Sequence, residues 1–436
     1  MVAKLGALSA KGPAVRAPVD ADTVIRGVLF LAVFLTVWIS FHPFQSLAAP
    51  PPQLTEGGDR ANQIGFSALF LALAAWTARN EPQRLTLLLR PALFAVLAWC
   101  AVSVIASWHP WLAARRLAFT LVVMGISGMA LLLPKNLRHF SDLMAAVALI
   151  VLAACYLGLL FAPSLSIHQA TDFVEPEHAG NWRGIFPHKN QAGASMVIFV
   201  FVGMFVAHVR GLALGGLIVV PAAIFLLFTQ SKTAIAMLPL VLIVAHVVAR
   251  SRRPAAAAAL VVALLALINL LSVGSVYFEP VRNAIGSIMP DATFTGRTDI
   301  WNFALQYAAR RSITGYGFSA FWGTEQVVYG LSASSKWANG ATDAHNSYVN
   351  LALTVGMPGL VLVIIWIVIL PLLDFHRVLQ GASIRPLQML FLRVCLFSVY
   401  ASCFETSLLQ DAGGVWVLTL TAIFGLRYLS TMRVIS

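Results

Sequence analysis

The sequence predicts an all-α, polytopic helical membrane protein with about twelve transmembrane helices and one large outer loop that contains short helices. Three observations predict it. Of 436 residues, 59% are hydrophobic and only 11% are charged, and the mean hydropathy is +0.83, so charge is too scarce to cover a soluble domain. Apolar runs long enough to cross a ~30 Å hydrocarbon core recur along the whole length. These runs are continuously apolar, whereas barrel strands alternate apolar and polar positions over ~10 residues.

The elements follow in chain order. Residues 1–23 are basic, poor in acids and without a compact apolar segment followed by a cleavage site, and read as a cytoplasmic tail. Helices are expected at roughly 24–42, 63–79, 91–108, 116–133, 143–162, 190–209, 212–228, 233–249, 255–273, 344–372, 387–405 and 411–428. The first nine fill 24–273, an outer loop fills 274–343, the last three fill 344–428, and 429–436 forms a cytoplasmic tail. With the N-terminus inside, Arg79, Arg84, Arg90, Lys135, Arg138, Arg210, Arg250, Arg252, Arg253, Arg377, Arg385, Arg427 and Arg433 all face the cytoplasm, as the positive-inside rule requires. The formal net charge of +12 then belongs to these loops and calls for no nucleic acid. Cys100, Cys155, Cys395 and Cys403 lie inside apolar runs and read as small core residues.

Two outer segments are long, 163–189 and 274–343. In the second, "TGRTDIWNFALQYAARR" predicts a helix capped by Thr298, with Asp299 in its first turn and Ile300, Trp301, Ala304, Leu305 and Ala308 on one face. The loop is expected to dock as a small cap on the bundle. Tyr316, Phe318, Phe321 and Trp322 suit either an interfacial belt or stacking on sugar rings. "VGMPGL" at 355–360 breaks the tenth helix, because Pro358 removes a donor and Gly356 and Gly359 soften the chain. The break either tilts His345 toward a site or is a tolerated kink.

Charge near lipid is costly, so the outer charges need partners or a task. Arg183, His188 and Lys189 stand in "RGIFPHKNQAG", just before the sixth helix. Lys232 sits in the turn "FTQSKTA", and Arg297 precedes the loop helix. His345 opens the tenth helix, with Asp343 and Asn346 beside it, and Glu405 and Asp411 bracket the last turn. Lys189, Arg297 and His345 lie at helix N-termini, where about half a positive charge already resides and a further cation is unfavourable. Several cations gathered there imply an anion between them, and backbone N–H groups with Arg and Lys suit a phosphate or diphosphate.

Each residue also has a plainer role. Arg183 and Lys189 can meet lipid phosphates, and Lys232 can snorkel from a helix end. Arg297 can pair with Asp299 or Glu279, and His345 can hydrogen-bond to Asp343 at a helix start. No H-E-x-x-H, Walker A or G-x-S-x-G pattern and no outer carboxylate cluster points to a metal or cofactor. The expected chemistry is therefore metal-independent. Side-chain cations neutralise a phosphate leaving group, and histidine, whose pKa lies near working pH, is the natural general base.

"RGIFPHKNQAG", "TQSKTA", "GRTDIWNFALQYAARRSITGYGFSAFW" and "AHNSYVNLALTVGMPGLVL", in this order and around a large loop between late helices, resemble the O-antigen ligase and polysaccharide polymerase superfamily. The resemblance covers most of the chain and is strongest from about 180 to 365. It implies a bacterial inner-membrane enzyme with a fold like the C-type glycosyltransferases. Such an enzyme moves a glycan in one piece from undecaprenyl diphosphate to an acceptor sugar hydroxyl on the periplasmic face, among membrane lipids. Ligases use lipid A–core as acceptor, and polymerases use another lipid-linked repeat unit. By the same resemblance His345 matches the base and Arg297 a diphosphate ligand, while Arg183, Lys189 and Lys232 lie where other basic ligands are expected. Many ligases have Arg in the S-K-T turn. Lys232 offers a point charge instead of a fork, and "FPHKNQAG" with "SKT" leans toward the polymerase branch. A lipid-linked glycan transporter is the non-enzyme alternative, but transporters gather polar groups near the bilayer midplane, and here Arg393 is the main deep charge.

Overall fold

The computed structural model describes residues 20–49, 54, 58–173, 175–287, 294, 296–329, 341–378, 385–410 and 412–431. The two tails up to 19 and from 432, with Arg433, lie outside the described residues, as do Asp411 and 330–340 of the outer loop. The secondary structure of the described residues is helical: α1 Ala21–Ile39, α2 Arg60–Asn80, α3 Pro82–Leu88, α4 Pro91–Ile105, α5 Pro110–Ala130, α6 Leu137–Phe161, α7 Pro163–Ser166, α8 Lys189–Arg210, α9 Leu212–Thr229, α10 Lys232–Arg250, α11 Pro254–Ser272, α12 Glu279–Gly286, α13 Arg297–Arg310, α14 Glu325–Val328, α15 Ser347–Ile364, α16 Leu370–Arg377, α17 Arg385–Ala401 and α18 Gly414–Thr431. A π-helical turn, Ile365–Ile369, joins α15 to α16. Among the described residues only one isolated β-bridge occurs, Ile167 with Trp182.

Among the described residues ten helices are long and apolar enough to cross a membrane, which makes this a multi-pass membrane protein. The predicted third and eleventh spans are α4, with 15 residues, and α17, with 17. At 1.5 Å per residue α4 covers only ~22 Å, short of a full crossing. Helix α8 is the most buried of the ten spans. Its Gly193 and Gly203 admit Ser231 and Val219 so closely that a Cβ would meet them at 2.7 and 2.6 Å. The four cysteines are free and buried.

The outer loop docks on the bundle through a second hydrophobic cluster. Ile300, Trp301, Phe303, Ala304 and Ala308 of α13 pack with Tyr316, Phe321, Trp322, Val349 and Leu353. Helix α13 begins at Arg297 with Gly296 at the cap position, φ +76°, so Thr298 is not the cap but lies in the first turn. A backbone in the left-handed region favours glycine there.

The "VGMPGL" break is real and has a structural use. Gly356 leaves the helical region, at φ +72° and ψ 177°. Pro358 cannot donate to the carbonyl of Thr354, four residues back. That carbonyl instead accepts Gly317 N–H at 2.9 Å, Leu353 O accepts Tyr316 N–H at 3.0 Å, and Met357 N–H donates to Ser312 O at 2.7 Å. Trp99 Nε1 donates to Val355 O at 2.8 Å. The kink thus supplies the backbone groups on which the cap is moored.

Candidate active site

His345 is not in a helix. It occupies the turn before α15 with φ +46°, a region a non-glycine residue rarely adopts without compensation. The compensation is on either side of it. Asp343 Oδ1 accepts His345 N–H at 2.6 Å and the Thr406 hydroxyl at 2.7 Å. Asn346 Oδ1 caps α15 by accepting Tyr348 and Val349 N–H at 2.9 and 3.0 Å. The Asn346 amide donates to Cys403 O at 2.8 Å and Asn269 Oδ1 at 3.0 Å. Asn346 is the cap, so Asp343 is left to hold His345.

The imidazole faces two carboxylates. Its Nδ1 lies 3.8 Å from Asp343 Oδ1 and 3.9 Å from Glu405 Oε2, and the side chain is 35% exposed. Burial alone would lower its pKa, but Asp343 and Glu405 outweigh burial and raise it above the ordinary value. Carboxylates on the Nδ1 side favour a proton there and leave Nε2 with a lone pair.

Glu405 is the hub. Its Oε1 accepts from Arg297 Nη2 at 2.9 Å and from Asn190 Nδ2 at 3.0 Å. Arg297 Nη1 donates to Phe404 O. Burial works against the Glu405 charge, yet Arg297 first and His345 next hold its pKa down to about 2. Arg297 therefore pairs with neither Asp299 nor Glu279 but reaches the α17–α18 connection. Trp301 Nε1, one turn along α13, donates to Ala344 O at 2.9 Å, which fixes the helix against the residue before His345.

Lys189 and Lys232 stand at the first positions of α8 and α10. Lys189 is half-buried and within electrostatic reach of Lys232, Arg297 and Glu175, while Lys232 is exposed. Gln230, at φ +49°, makes the turn that presents Lys232. His188 is the α8 cap: its Nδ1 accepts Asn190 N–H at 3.1 Å while its Nε2 meets Glu175 Oε2 at 2.7 Å. Four of the predicted cationic or imidazole groups, Lys189, Lys232, Arg297 and His345, thus gather at one end of the bundle.

Arg183 does not join them. Its guanidinium is buried and donates to Phe186 O at 3.2 Å and Gln45 O at 2.6 Å, which ties the 163–189 segment to the 40–49 loop. Its backbone N–H donates to Ser166 O. Tyr316, Phe318, Phe321 and Trp322 are also unavailable to a sugar. Each is 5% exposed or less, three of them in the core of the cap and Phe318 in the main core.

Sequence reasoning did not assign Asn190 or give Glu405 a role beyond the last turn. A lone acid at the outer end of an apolar helix is the signal that pointed to Glu405. The fold also brings Glu175, His178 and His188 together, so that their candidate ligand atoms lie within 4.8 Å of one another. The sequence pattern points to no metal ligands here, because the three residues are brought together by the turn of the 163–189 segment.

The fold and this cluster define a multi-pass helical membrane protein whose polar groups collect where a capping loop meets the helix ends. Residues 217–364 match the family model described as O-antigen ligase, a span that includes Lys232, Arg297 and His345. The chain is 30% identical over 198 residues to the exopolysaccharide production protein ExoQ of Rhizobium meliloti (strain 1021), covering 41% of this chain and 43% of that protein. The match spans less than half the length of that relative. Together the two matches support the resemblance to the O-antigen ligase and polysaccharide polymerase superfamily.

Proposed function

We propose that the protein is an inner-membrane glycosyltransferase. In this reading it moves a glycan en bloc from undecaprenyl diphosphate to an acceptor sugar hydroxyl on the periplasmic face, in the polymerisation of polysaccharide repeat units. The observation that carries the proposal is the meeting of Arg297, Asn190 and His345 on the one carboxylate of Glu405, with Lys189 within electrostatic reach.

The reaction has two electrostatic demands. Negative charge grows on the leaving diphosphate, and the acceptor hydroxyl must lose a proton. Arg297, Lys189 and Lys232, helped by the N–H groups that open α10, answer the first demand without a metal in the step. His345 Nε2 answers the second. The imidazolium that forms is stabilised by Asp343 and Glu405 on its Nδ1 side, and these two carboxylates also fix the ring's tautomer. A single displacement at the anomeric carbon inverts its configuration.

The matched family, O-antigen ligase, favours a ligase, and the relative, an exopolysaccharide production protein, favours exopolysaccharide assembly. Purified protein in vesicles, given a lipid-linked oligosaccharide with and without lipid A–core, separates these. A ladder of lengthened lipid-linked glycan supports the polymerase, and a single glycan on lipid A–core the ligase. Movement of the lipid-linked glycan across the bilayer with no new glycosidic bond would overturn both.

A further inference from the structure

Glu175, His178 and His188 lie on the 163–189 segment, beside the Glu405 cluster and separate from it. Glu175 Oε2 is 2.7 Å from His188 Nε2, and Glu175 Oε1 is 3.5 Å from His178 Nε2. All three side chains are partly exposed. We propose that Glu175, His178 and His188 bind a divalent transition metal of the Zn²⁺ class, with three protein ligands and one position open to solvent. Two imidazole nitrogens and one carboxylate suit such an ion, whereas Ca²⁺ and Mg²⁺ take oxygen donors. Ligands at ~2.0–2.2 Å around a tetrahedral ion stand roughly 3.3 Å from each other. The Glu175 Oε1–His178 Nε2 separation is already of that size, the Glu175 Oε2–His188 Nε2 separation has to open by about 0.6 Å, and one carboxylate oxygen and the two imidazole nitrogens, which lie within 4.8 Å of one another, have to draw together around the ion.

A third imidazole nearby is excluded as a ligand. His168 lies with its ring centroid 5.2 Å from that of His188. Its Nδ1 bonds Asp172 Oδ2 at 2.9 Å and its Nε2 accepts Lys189 N–H at 3.2 Å, so both nitrogens are engaged. His168 walls the site and positions the start of α8.

Metal binding changes two hydrogen bonds of His188, the Nε2 contact with Glu175 among them. His188 Nδ1 accepts Asn190 N–H, so the neutral ring carries its proton on Nε2, toward Glu175. When the ion takes Nε2, that proton moves to Nδ1 and the cap on α8 is released. One cap hydrogen bond is small beside a transition-metal–imidazole bond. Asn190 also donates to Glu405 through its side chain, so the ion bears on the α8 start from which Lys189 and Asn190 reach the cluster.

The test uses the full-length protein in detergent, free of any affinity tag, stripped with chelator and titrated with Co²⁺. Wild type is expected to bind one equivalent with the visible absorption of a low-coordinate ion, and Zn²⁺ is expected to displace it. Glu175→Gln and His178→Ala are each expected to lose at least tenfold in affinity, while His42→Ala, which alters a separate pair with Asp59, keeps it. On the unaltered chain, Zn²⁺ is expected to shield His178 and His188 from diethyl pyrocarbonate, read by peptide mass spectrometry, so misfolding of a variant does not end the test. Absence of a saturable one-equivalent site in wild type, or full affinity in the Glu175→Gln/His178→Ala double variant, would overturn the proposal.

Discussion

Arg297 and Glu405 meet at 2.9 Å although 108 residues separate them in the sequence. Arg297 opens the cap helix, and Glu405 lies in the connection before the last helix. The pair therefore joins the outer loop to the membrane bundle, and Asn190 from α8 joins it through the same carboxylate oxygen. A positive charge built into this contact is half committed to Glu405. In the proposed reaction it becomes a diphosphate ligand when an incoming phosphate competes for its fork.

Arg297→Lys tests the fork. Lysine keeps the charge but does not span Phe404 O and Glu405 together. We expect polymer formation to fall by about 10²-fold or more, as when one preorganised electrostatic donor is lost, with protein levels in the membrane unchanged. Arg297→Ala and His345→Ala are expected to abolish product altogether. Wild-type chain lengths from His345→Ala, measured by gel profile of the glycan, would remove it from the proton-transfer role.

The pH profile has a definite sign. A base must be unprotonated to act, and His345 titrates above the ordinary histidine value because of Asp343 and Glu405. The rate per bound donor is therefore expected to rise with pH through and beyond the usual histidine range. Glu405→Gln removes one negative neighbour and leaves Arg297 uncompensated, and both changes move the acid limb to lower pH. Stability runs the other way for His345: its contribution is full at low pH and is lost as pH rises through the raised value. Glu405 contributes above its unfolded pKa, and that contribution is lost as pH falls toward about 2. A profile whose acid limb stays put in Glu405→Gln, by initial rates from pH 5 to 9, would contradict the pairing.

Lys189 and Lys232 differ in burial and are expected to differ in effect. A charge-assisted hydrogen bond contributes ~1.5–3 kcal/mol, so Lys189→Gln, at the half-buried start of α8, is expected to raise KM for the lipid-linked donor by about ten- to a hundredfold. Lys232 is exposed, and Lys232→Arg is expected to retain activity while Lys232→Glu loses it. Equal KM values for wild type and Lys189→Gln would show that this lysine meets only bulk lipid.

The spans were legible because their cause is local. Each apolar run carries its own reason to be buried, and charge asymmetry supplies an expected orientation. The α13 face was legible for the same reason, since Ile300, Trp301, Ala304 and Ala308 repeat at helical spacing and all are buried. What failed depended on partners far away in sequence. Arg183 looks like its basic neighbours until Gln45 and Phe186 are seen to take its guanidinium. The aromatics after α13 look interfacial until α15 covers them. Thr298 looks like a cap, yet Gly296, in a left-handed conformation open to glycine, caps the helix and starts it two residues earlier. Glu405 had no local pattern at all, because its meaning lies in Arg297, Asn190 and His345, which come from three other segments.

Gly356 carries the last prediction. Its φ of +72° disfavours any side chain, and a Cβ there would lie 1.9 Å from Ile313 O, which is backbone and has no freedom to yield. Gly356→Ala therefore forces the 311–317 strap away from the kink. Tyr316 and Gly317 then lose the carbonyls of Leu353 and Thr354, and with them the register between the cap and His345. Strain and overpacking together are expected to cost about 2–4 kcal/mol, seen as a lower unfolding temperature in detergent and as early proteolysis within 296–329. Gly413→Ala is the control, since nothing lies within 4 Å of its Cβ position. If Gly356→Ala unfolds at the wild-type temperature and still makes polymer, the kink is not the mooring of the cap, and the position of His345 must be set from the Glu405 side alone.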